Sequence, residues 1–174
     1  MKNIVLIGMP ACGKSVAGVL LAKSLKMNFL DTDLMIQERS GKSLQDIIDQ
    51  DGMDIFKKTE ESVLLSINTE NTVIATGGSA VYYHDAMDHL GSNGIIVYID
   101  ASLETIVQRL DNIRTRGVAI KKGQTLAELY SARAPLYERF AEITVKSEND
   151  LETTVANIIT ALKKLDIKDP EKNL

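Results

Sequence analysis

The sequence predicts an α/β fold in three layers, a sandwich with a five-stranded parallel sheet between two layers of helices. Short apolar stretches of strand length alternate along the chain with longer stretches whose apolar residues recur at helical spacing. This alternation is typical of parallel strands joined by right-handed crossover helices. The chain has 174 residues, the size of one compact domain, so we expect a single domain over residues 1–174.

The predicted strands are the short apolar stretches. The first, residues 3–8 (NIVLIG), is apolar almost throughout, as expected of a strand that helices cover on both faces. The other four are predicted at residues 28–31, 72–76, 94–99 and 143–145.

The predicted helices fill most of the sequence between the strands. The first follows the first strand closely, at residues 14–26, with apolar side chains at Val16, Val19 and Leu20. The remaining helical patterns cover residues 34–50, 53–68, 83–90, 102–112, 124–139 and 150–165.

One long segment, residues 112–123 (NIRTRGVAIKKG), lacks a helical or strand pattern and is rich in Arg, Lys and Gly. Long loops inside compact α/β domains are usually functional. We therefore expect this segment to take part in ligand binding.

Composition excludes several classes of protein. The net charge of -4, the absence of Trp and the presence of only three Phe argue against nucleic-acid binding. No apolar stretch approaches the roughly 18 residues that cross a bilayer, so we expect no membrane partner. The first residues run directly into a strand, and the single cysteine, Cys12, fits a reducing compartment. We expect a cytoplasmic monomer that acts on a small molecule.

A phosphate-binding loop lies between the first strand and the first helix. Residues 8–15 (GMPACGKS) match the pattern G-x-x-x-x-G-K-[ST] without a gap. The glycines let backbone N–H groups wrap phosphate oxygens, and the helix N-terminus adds positive potential. Lys14 would reach the β- and γ-phosphates of ATP, and the hydroxyl of Ser15 would bind Mg²⁺. The residues predicted to bind ATP here are Gly8, Ala11, Cys12, Gly13, Lys14, Ser15 and Val16.

Two aspartates follow the second predicted strand, in the sequence Asp31-Thr32-Asp33. Side chains alternate along an extended chain, so both carboxylates are predicted to point toward the carboxyl end of the sheet, where ligands bind. Phosphoryl transfer to an alcohol needs one carboxylate near the metal and one that accepts the hydroxyl proton. We assign these roles to Asp31 and Asp33. The alternative is that Asp33 only caps a helix beginning at Leu34.

Six motifs, in this order, resemble those of the shikimate kinase family, and the resemblance covers roughly residues 3–165. They are the phosphate loop, Asp31-Thr32-Asp33, Phe56-Lys57 before Glu60-Glu61, Thr76-Gly77-Gly78, the arginines of residues 112–123, and Arg133-Ala134-Pro135-Leu136-Tyr137. The resemblance implies a nucleoside-monophosphate-kinase type of fold, with a helical substrate-binding region at about residues 33–61 and a mobile lid at about residues 112–124. It also implies an ATP-dependent kinase that converts shikimate to shikimate 3-phosphate in aromatic amino acid biosynthesis.

The resemblance assigns roles to residues on the acceptor side. Asp33 would contact the ring hydroxyls of a hydroxylated carboxylate substrate and assist its deprotonation. Gly77 and Gly78 would present backbone N–H groups to it, since a bare backbone can approach a ligand closely. Arg133 would pair with the substrate carboxylate in a bidentate geometry.

On the ATP side, the resemblance implies two further arginines. Arg116 would neutralise charge on the transferring phosphate, and together with Lys14 and Asp33 it completes the predicted catalytic set. Arg109 would pack on the adenine. The alternative for these arginines, as for Arg133, is a solvated position on a helix or loop.

Three positions depart from the family pattern. Lys57 stands where the family usually has an arginine that grips the shikimate carboxylate, and a lysine keeps the charge without the planar fork. Ser79 replaces the third glycine of a triplet and adds a hydroxyl to the predicted pocket wall, and Gly117 replaces the proline after the lid arginine. We include Lys57 and Ser79 among the predicted substrate residues. A related kinase for a different hydroxy acid or polyol therefore remains the alternative, and a nucleotide-binding protein without catalysis is disfavoured by Lys14, Ser15 and Asp33.

Overall fold

The computed structural model describes residues 2–111, 123–147 and 150–168. Its five strands form one parallel sheet in the order β2-β3-β1-β4-β5, which confirms the predicted sheet. The strands are β1 (Asn3–Ile7), β2 (Asn28–Asp31), β3 (Thr72–Ala75), β4 (Gly94–Asp100) and β5 (Ile143–Lys146).

Helices connect the strands and cover the sheet. In the described residues they are α1 (Lys14–Leu25), α2 (Thr32–Ser40), α3 (Leu44–Asp46), α4 (Met53–Ser66), α5 (His84–Ser92), α6 (Leu103–Asp111), α7 (Leu126–Phe140) and α8 (Leu151–Lys168). A π-helical turn at Ile47–Asp51 joins α3 to α4, and a 3₁₀ turn at Ala80–Tyr82 precedes α5. Within the described part of the chain, no helix has the length and apolarity needed to span a membrane.

The strand β1 lies at the centre of the sheet, where the chain changes direction. It pairs with β3 on one side and with β4 on the other. The connection after β1 leads to the edge strand β2, whereas the connection after β3 crosses to β4 on the opposite side. Ligands of open parallel sheets bind at the carboxyl ends of the strands beside such a switch point. The residues that follow β1 therefore lie where a ligand is expected.

Two groups of buried side chains stabilise the fold. The main core includes all of β1 except Asn3 and packs the helices onto the sheet. Helix α1 lies so close to β2 that a Cβ on Gly18 would be only 2.6 Å from the ring of Phe29. The absence of a side chain at Gly18 permits this packing. A second group, Ile36, Ile47, Phe56 and Val63, joins α2, the π-helical turn and α4. This packing places the predicted substrate-binding region beside the carboxyl edge of the sheet.

The single helix predicted over residues 34–50 is wrong. The helix begins two residues earlier, at Thr32, because the side chain of Asp31 accepts a hydrogen bond from the Asp33 N–H and caps it. It ends at Gly41, whose φ of 65° is the left-handed conformation that glycine adopts at low cost. A new helix then starts after Ser43, whose hydroxyl accepts from the Asp46 N–H.

Candidate active site

A cavity of about 410 Å³ opens at the carboxyl edge of the sheet. At one end lie residues of the phosphate loop, and at the other lie residues from α2, α4, α7 and the segment after β3. The predicted site residues that line it are Ala11, Gly13, Lys14, Ser15, Asp31, Asp33, Gly77, Gly78, Ser79 and Arg133. The fold thus brings together most of the residues that the sequence singled out.

The phosphate loop turns directly from β1 into α1. Ala11 and Gly13 both have positive φ angles, 63° and 104°, and left-handed residues of this kind shape the concave backbone that binds anions. The first residue of α1 is Lys14, and no described side chain caps the N-terminus of this helix. Its first N–H groups therefore remain available to a phosphate.

Lys14 is buried within the loop that it serves. Its Nζ donates to the Gly8 carbonyl at 2.8 Å and to the Met9 carbonyl at 2.9 Å. These two bonds place the ammonium group against the cavity. Gly8 is required here because a Cβ would lie 2.6 Å from the Ile99 carbonyl oxygen and 2.9 Å from the Cys12 sulfur. Cys12 is itself buried, so its part in the loop is its backbone and its packing.

Arg109 lies against the phosphate loop rather than on a solvated helix face. Its Nη1 donates to the Ala11 carbonyl at 3.3 Å, to the Cys12 carbonyl at 3.2 Å and to the Ser147 hydroxyl at 3.0 Å. Ser147 donates in turn to the Cys12 carbonyl at 3.1 Å. The predicted packing of Arg109 on adenine stays a prediction. Sequence reasoning missed Ser147, because a serine just after a strand carries no motif that links it to residue 12.

The two aspartates converge on the cavity, but by a route that differs from the prediction. Asp33 belongs to the first turn of α2, so the two residues do not alternate along an extended chain. The alternative, in which Asp33 caps a helix at Leu34, is also wrong, because Asp31 is the cap. Both aspartates nevertheless line the cavity, as does Ser15 of the phosphate loop.

The donors beside the phosphate loop suit Mg²⁺. The Ser15 hydroxyl and the Asp31 carboxylate are hard oxygen ligands that line the same cavity. Among the described residues, no group of three or more His, Cys, Asp and Glu converges on a metal-sized site. Mg²⁺ is commonly held by one or two side chains together with the phosphates of a nucleotide and water, which fits this donor set.

The glycine turn after β3 forms the floor between the two ends of the cavity. A Cβ on Gly77 would lie 2.5 Å from Glu60 Oε1 and 3.1 Å from Asp33 Oδ1. A Cβ on Gly78 would lie 2.8 Å from the Pro10 ring and 3.0 Å from Arg133 Nη1. Any side chain at either position would therefore displace the groups that surround the turn.

Gly77 and Gly78, which were predicted to donate backbone N–H groups to a substrate, each take part in a hydrogen bond within the protein. The Gly77 N–H donates to the Thr32 hydroxyl at 3.2 Å, so it is engaged within the protein in this structure. The Gly78 carbonyl accepts a hydrogen bond from the Tyr137 hydroxyl at 2.6 Å. These bonds fix the turn between α2 and α7, and donation by Gly77 and Gly78 to a substrate stays a prediction.

Arg133 is a wall residue of the cavity and not a solvated surface arginine. It is 2% exposed, and its guanidinium carbon lies 5.4 Å from the centre of the Tyr82 ring. A buried cation that contacts an aromatic ring and faces a cavity suits the recognition of an anion.

Lys57 lies outside the cavity wall. It is exposed, whereas Phe56 and Glu60 on the same helix line the cavity. Lys57 lies three positions before Glu60, so the two residues are neighbours on the surface of α4. The predicted contact of Lys57 with the substrate stays a prediction. Arg116 and most of the predicted lid, residues 112–122, lie outside the described residues.

Sequence reasoning also missed the role of Glu60. It is 1% exposed, and its carboxylate accepts hydrogen bonds from the Ser79 hydroxyl at 2.7 and 2.9 Å and from the Tyr83 hydroxyl at 2.8 Å. Burial raises the pKa of Glu60 to about 7, against the opposing effect of the two hydroxyl bonds. The available signal was its position four residues after Phe56, which places both on one helix face.

Replacing Glu60 with glutamine is expected to remove a pH dependence of folding stability. Because the pKa of Glu60 is raised from 4.5 to about 7, the folded state retains a proton that the unfolded chain has already released. The free energy of unfolding of the wild type therefore falls between these two values as pH rises. Each pKa unit corresponds to about 1.4 kcal/mol, so the loss is on the order of 3 kcal/mol.

Urea unfolding of the wild type and Glu60→Gln at about pH 5 and about pH 8 checks this expectation. The difference in stability between the two proteins should change with pH in favour of the variant at high pH. The adjacent and more exposed Glu61 offers a matched control, Glu61→Gln. A difference between wild type and Glu60→Gln that is the same at both pH values would contradict the proposed protonation of Glu60.

These features together define the class of the protein. A phosphate loop with a buried lysine lies at the carboxyl edge of a parallel sheet, and it faces a pocket lined by a carboxylate and a buried arginine. This arrangement is that of a P-loop kinase acting on a small molecule.

Comparisons with known proteins identify the particular family. The shikimate kinase family model matches residues 10–163. A shikimate kinase from Vibrio vulnificus is 34% identical over 164 residues, which are 92% of this chain and 95% of the relative. The chain therefore belongs to the shikimate kinase family.

Solved structures agree with this assignment. The structure of shikimate kinase from Aquifex aeolicus superposes with a TM-score of 0.79 at 33% identity and covers 95% of this chain and 98% of its own. Shikimate kinase from Acinetobacter baumannii, solved in complex with shikimate, superposes with a TM-score of 0.82 at 28% identity and covers 100% and 96%. The predicted family and fold class are thus confirmed.

Proposed function

We propose that this chain transfers the γ-phosphate of ATP to a hydroxyl of shikimate and produces shikimate 3-phosphate. The observation that carries this proposal is the single cavity in which the phosphate-loop residues Lys14 and Ser15 face Asp33 and Arg133. The similarity to a relative solved in complex with shikimate supports the choice of acceptor. We also propose that the active unit is a cytoplasmic monomer.

The phosphate end of the cavity binds and orients ATP. The N–H groups of the loop and of the first turn of α1 meet the phosphates, and Lys14 supplies a positive charge to the β- and γ-phosphates. The carbonyls of Gly8 and Met9 already hold the Lys14 ammonium beside this position, so little ordering of the side chain is needed when ATP binds. Arg109 and Ser147 support the outer side of the loop.

Mg²⁺ would be held by Ser15 and Asp31, and when bound it would neutralise charge on the phosphates. Arg116 would add positive charge from the lid segment, in the role that the family resemblance assigns to it.

The acceptor end recognises a hydroxylated carboxylate through two groups on either side of the glycine turn. Arg133 lies beside Gly78 and would pair with the carboxylate of the acceptor. Asp33 lies beside Gly77 and would accept the proton of the attacking hydroxyl as the new phosphate ester bond forms. A ring with a carboxylate on one side and hydroxyls on the other satisfies both groups at once.

Replacing Asp31 with asparagine separates its structural role from its proposed metal role. Asparagine caps helices about as well as aspartate, so α2 should remain intact. The loss of charge should raise the Mg²⁺ concentration needed for half-maximal activity by about tenfold or more. The measurement is a Mg²⁺ titration of ADP release at saturating ATP, with a circular dichroism melt as the control for folding. An unchanged Mg²⁺ dependence would remove Asp31 from the metal site.

An ADP-release assay with Mg-ATP tests the proposed function. The acceptor panel contains shikimate, quinate, gluconate and homoserine, which differ in ring structure, hydroxyl pattern and charge. Stimulation by shikimate far above that by the other three supports the proposal. Turnover of another member without shikimate turnover would assign the chain to a related kinase, and turnover of none would favour a nucleotide-binding protein without catalysis.

A further inference from the structure

Ser79 and Tyr83 converge on one buried carboxylate at the acceptor end of the cavity. Ser79 precedes the 3₁₀ turn after β3, and Tyr83 follows it. The Ser79 hydroxyl donates to both oxygens of Glu60, and the Tyr83 hydroxyl donates to Oε2. Ser79 is also the position at which this chain departs from the glycine triplet of the family. Its hydroxyl therefore has a definite partner in the pocket wall.

Glu60 lies where its charge acts on the acceptor. Its Oε1 lies 2.5 Å from the place that a Cβ on Gly77 would occupy, and Asp33 Oδ1 lies 3.1 Å from the same place. Glu60 itself lines the cavity, as do Asp33 and Arg133. A change in the charge of Glu60 is therefore a change in the field at the acceptor pocket.

The charged groups around Glu60 come from two neighbouring helices. Asp33 faces it from α2 and disfavours its ionised form, and Arg133 faces it from α7 and favours that form. Two other groups on elements packed against α4 have partners elsewhere. Arg39 of α2 donates to the Ser62 hydroxyl, and the His89 ring of α5 bonds the Ile67 carbonyl.

We propose that Ser79 and Tyr83 are positioning residues for the acceptor. They hold the Glu60 carboxylate beside Asp33 and Arg133, and they thereby set the charge that an anionic acceptor meets. This inference rests on the proposed function, because it requires an acceptor whose carboxylate is bound by Arg133. The two hydroxyls stabilise the ionised form of Glu60, and the ionised form opposes the binding of an anion. Protonation of Glu60 accompanies acceptor binding.

The sign of the effect follows from these contacts. Burial raises the pKa of Glu60 to about 7, so the carboxyl changes charge within the range of an ordinary assay. As pH rises through this value, the KM for shikimate should rise, by about tenfold over two pH units. The hydroxyl bonds lower the pKa of Glu60, so removing either donor should raise that pKa and move the rise in KM to higher pH, by about one unit.

The test is the pH profile of the shikimate KM, with kcat determined in parallel, from about pH 5.5 to about pH 9. Ser79→Ala and Tyr83→Phe are each expected to move the inflection upward, and Ser79→Thr, which keeps a hydroxyl, should return it to the wild-type position. Tyr82→Phe is the matched control, because it removes a hydroxyl from the adjacent residue and keeps the ring beside Arg133. Glu60→Gln should abolish the inflection. A purely structural role would multiply KM by the same factor at every pH and would overturn the proposal.

A second readout does not depend on catalysis. The Glu60 carboxyl can be followed by ¹³C NMR in protein labelled at glutamate, with Glu60→Gln identifying the resonance. Its titration midpoint should move upward in Ser79→Ala and Tyr83→Phe and stay unchanged in Tyr82→Phe. Midpoints that are the same in wild type and both test variants would overturn the inference. If shikimate is not turned over by the wild type, the proposed function fails, and the carboxyl titration still decides whether the hydroxyls control Glu60.

Discussion

Replacing Asp33 with asparagine is expected to lower kcat for shikimate phosphorylation by about 10²–10⁴-fold, the usual contribution of a positioned general base. The side chain is nearly isosteric, and the bond to the Asp31 cap uses the Asp33 backbone N–H, so the start of α2 should be preserved. Asparagine cannot take the proton of the attacking hydroxyl. Binding of ATP at the other end of the cavity should change little, because that end is built from the phosphate loop.

Two measurements separate this effect from a loss of folding. Steady-state kinetics give kcat, and isothermal titration calorimetry gives the Kd for ATP in the same preparation. Asp88→Asn, on the exposed side of α5, is the matched control and should behave as the wild type. Near wild-type kcat in Asp33→Asn would reject Asp33 as the proton acceptor and leave it as a wall residue.

Replacing Lys14 with methionine is expected to lower kcat by on the order of 10²–10³-fold, the cost of removing one group that stabilises charge in a transition state. Methionine keeps most of the length and apolar volume of the side chain, which matters because Lys14 is buried. It loses the bonds to the Gly8 and Met9 carbonyls together with the charge near the phosphates. Unlike Asp33→Asn, this variant should also weaken ATP binding.

The matched control for this variant lies on the same helix. Lys23→Met removes an equal charge from an exposed position at the far end of α1. Its kcat and its affinity for ATP should match the wild type. If Lys14→Met retains both, the phosphate loop does not bind ATP in the way described, and the assignment of the nucleotide end fails.

The sequence predicted those parts of the molecule that are encoded by neighbouring residues. The phosphate loop and its place between β1 and α1 were predictable because the motif and the flanking apolar pattern are contiguous. The parallel sheet followed from the alternation of short and long apolar patterns, and the family from six ordered motifs. Both the family and the fold class are confirmed. The catalytic and binding roles of individual residues stay predictions.

The contacts that sequence reasoning missed join residues that are far apart in the chain. Glu60 meets Ser79 across 19 positions, and Arg109 meets the Cys12 carbonyl across 97. Patterns within a helix or strand carry no information about such pairs. Lys57 shows the converse case, since a motif position predicted a pocket residue whereas its side chain is exposed and does not line the cavity, and its contact with a substrate stays a prediction.

A local hydrogen bond to the Asp31 side chain also determines the backbone conformation after Asp31. Read as a strand, Asp31-Thr32-Asp33 should place its two carboxylates on one face by alternation. The Asp31 carboxylate instead captures the Asp33 N–H and starts a helix. Both aspartates still line the cavity. The predicted extended conformation was therefore wrong, although the two residues do meet at the predicted end of the sheet.

The proposed function requires that one cavity bind ATP and shikimate together so that phosphate passes between them. The most direct test is to incubate the purified protein with Mg-ATP and shikimate and to analyse the products by ³¹P NMR with correlation to the ring protons. The expected product is a single phosphate monoester on the 3-hydroxyl of shikimate, formed in equal amount to ADP. ADP formed without a shikimate ester, or an ester on a different hydroxyl, would contradict it.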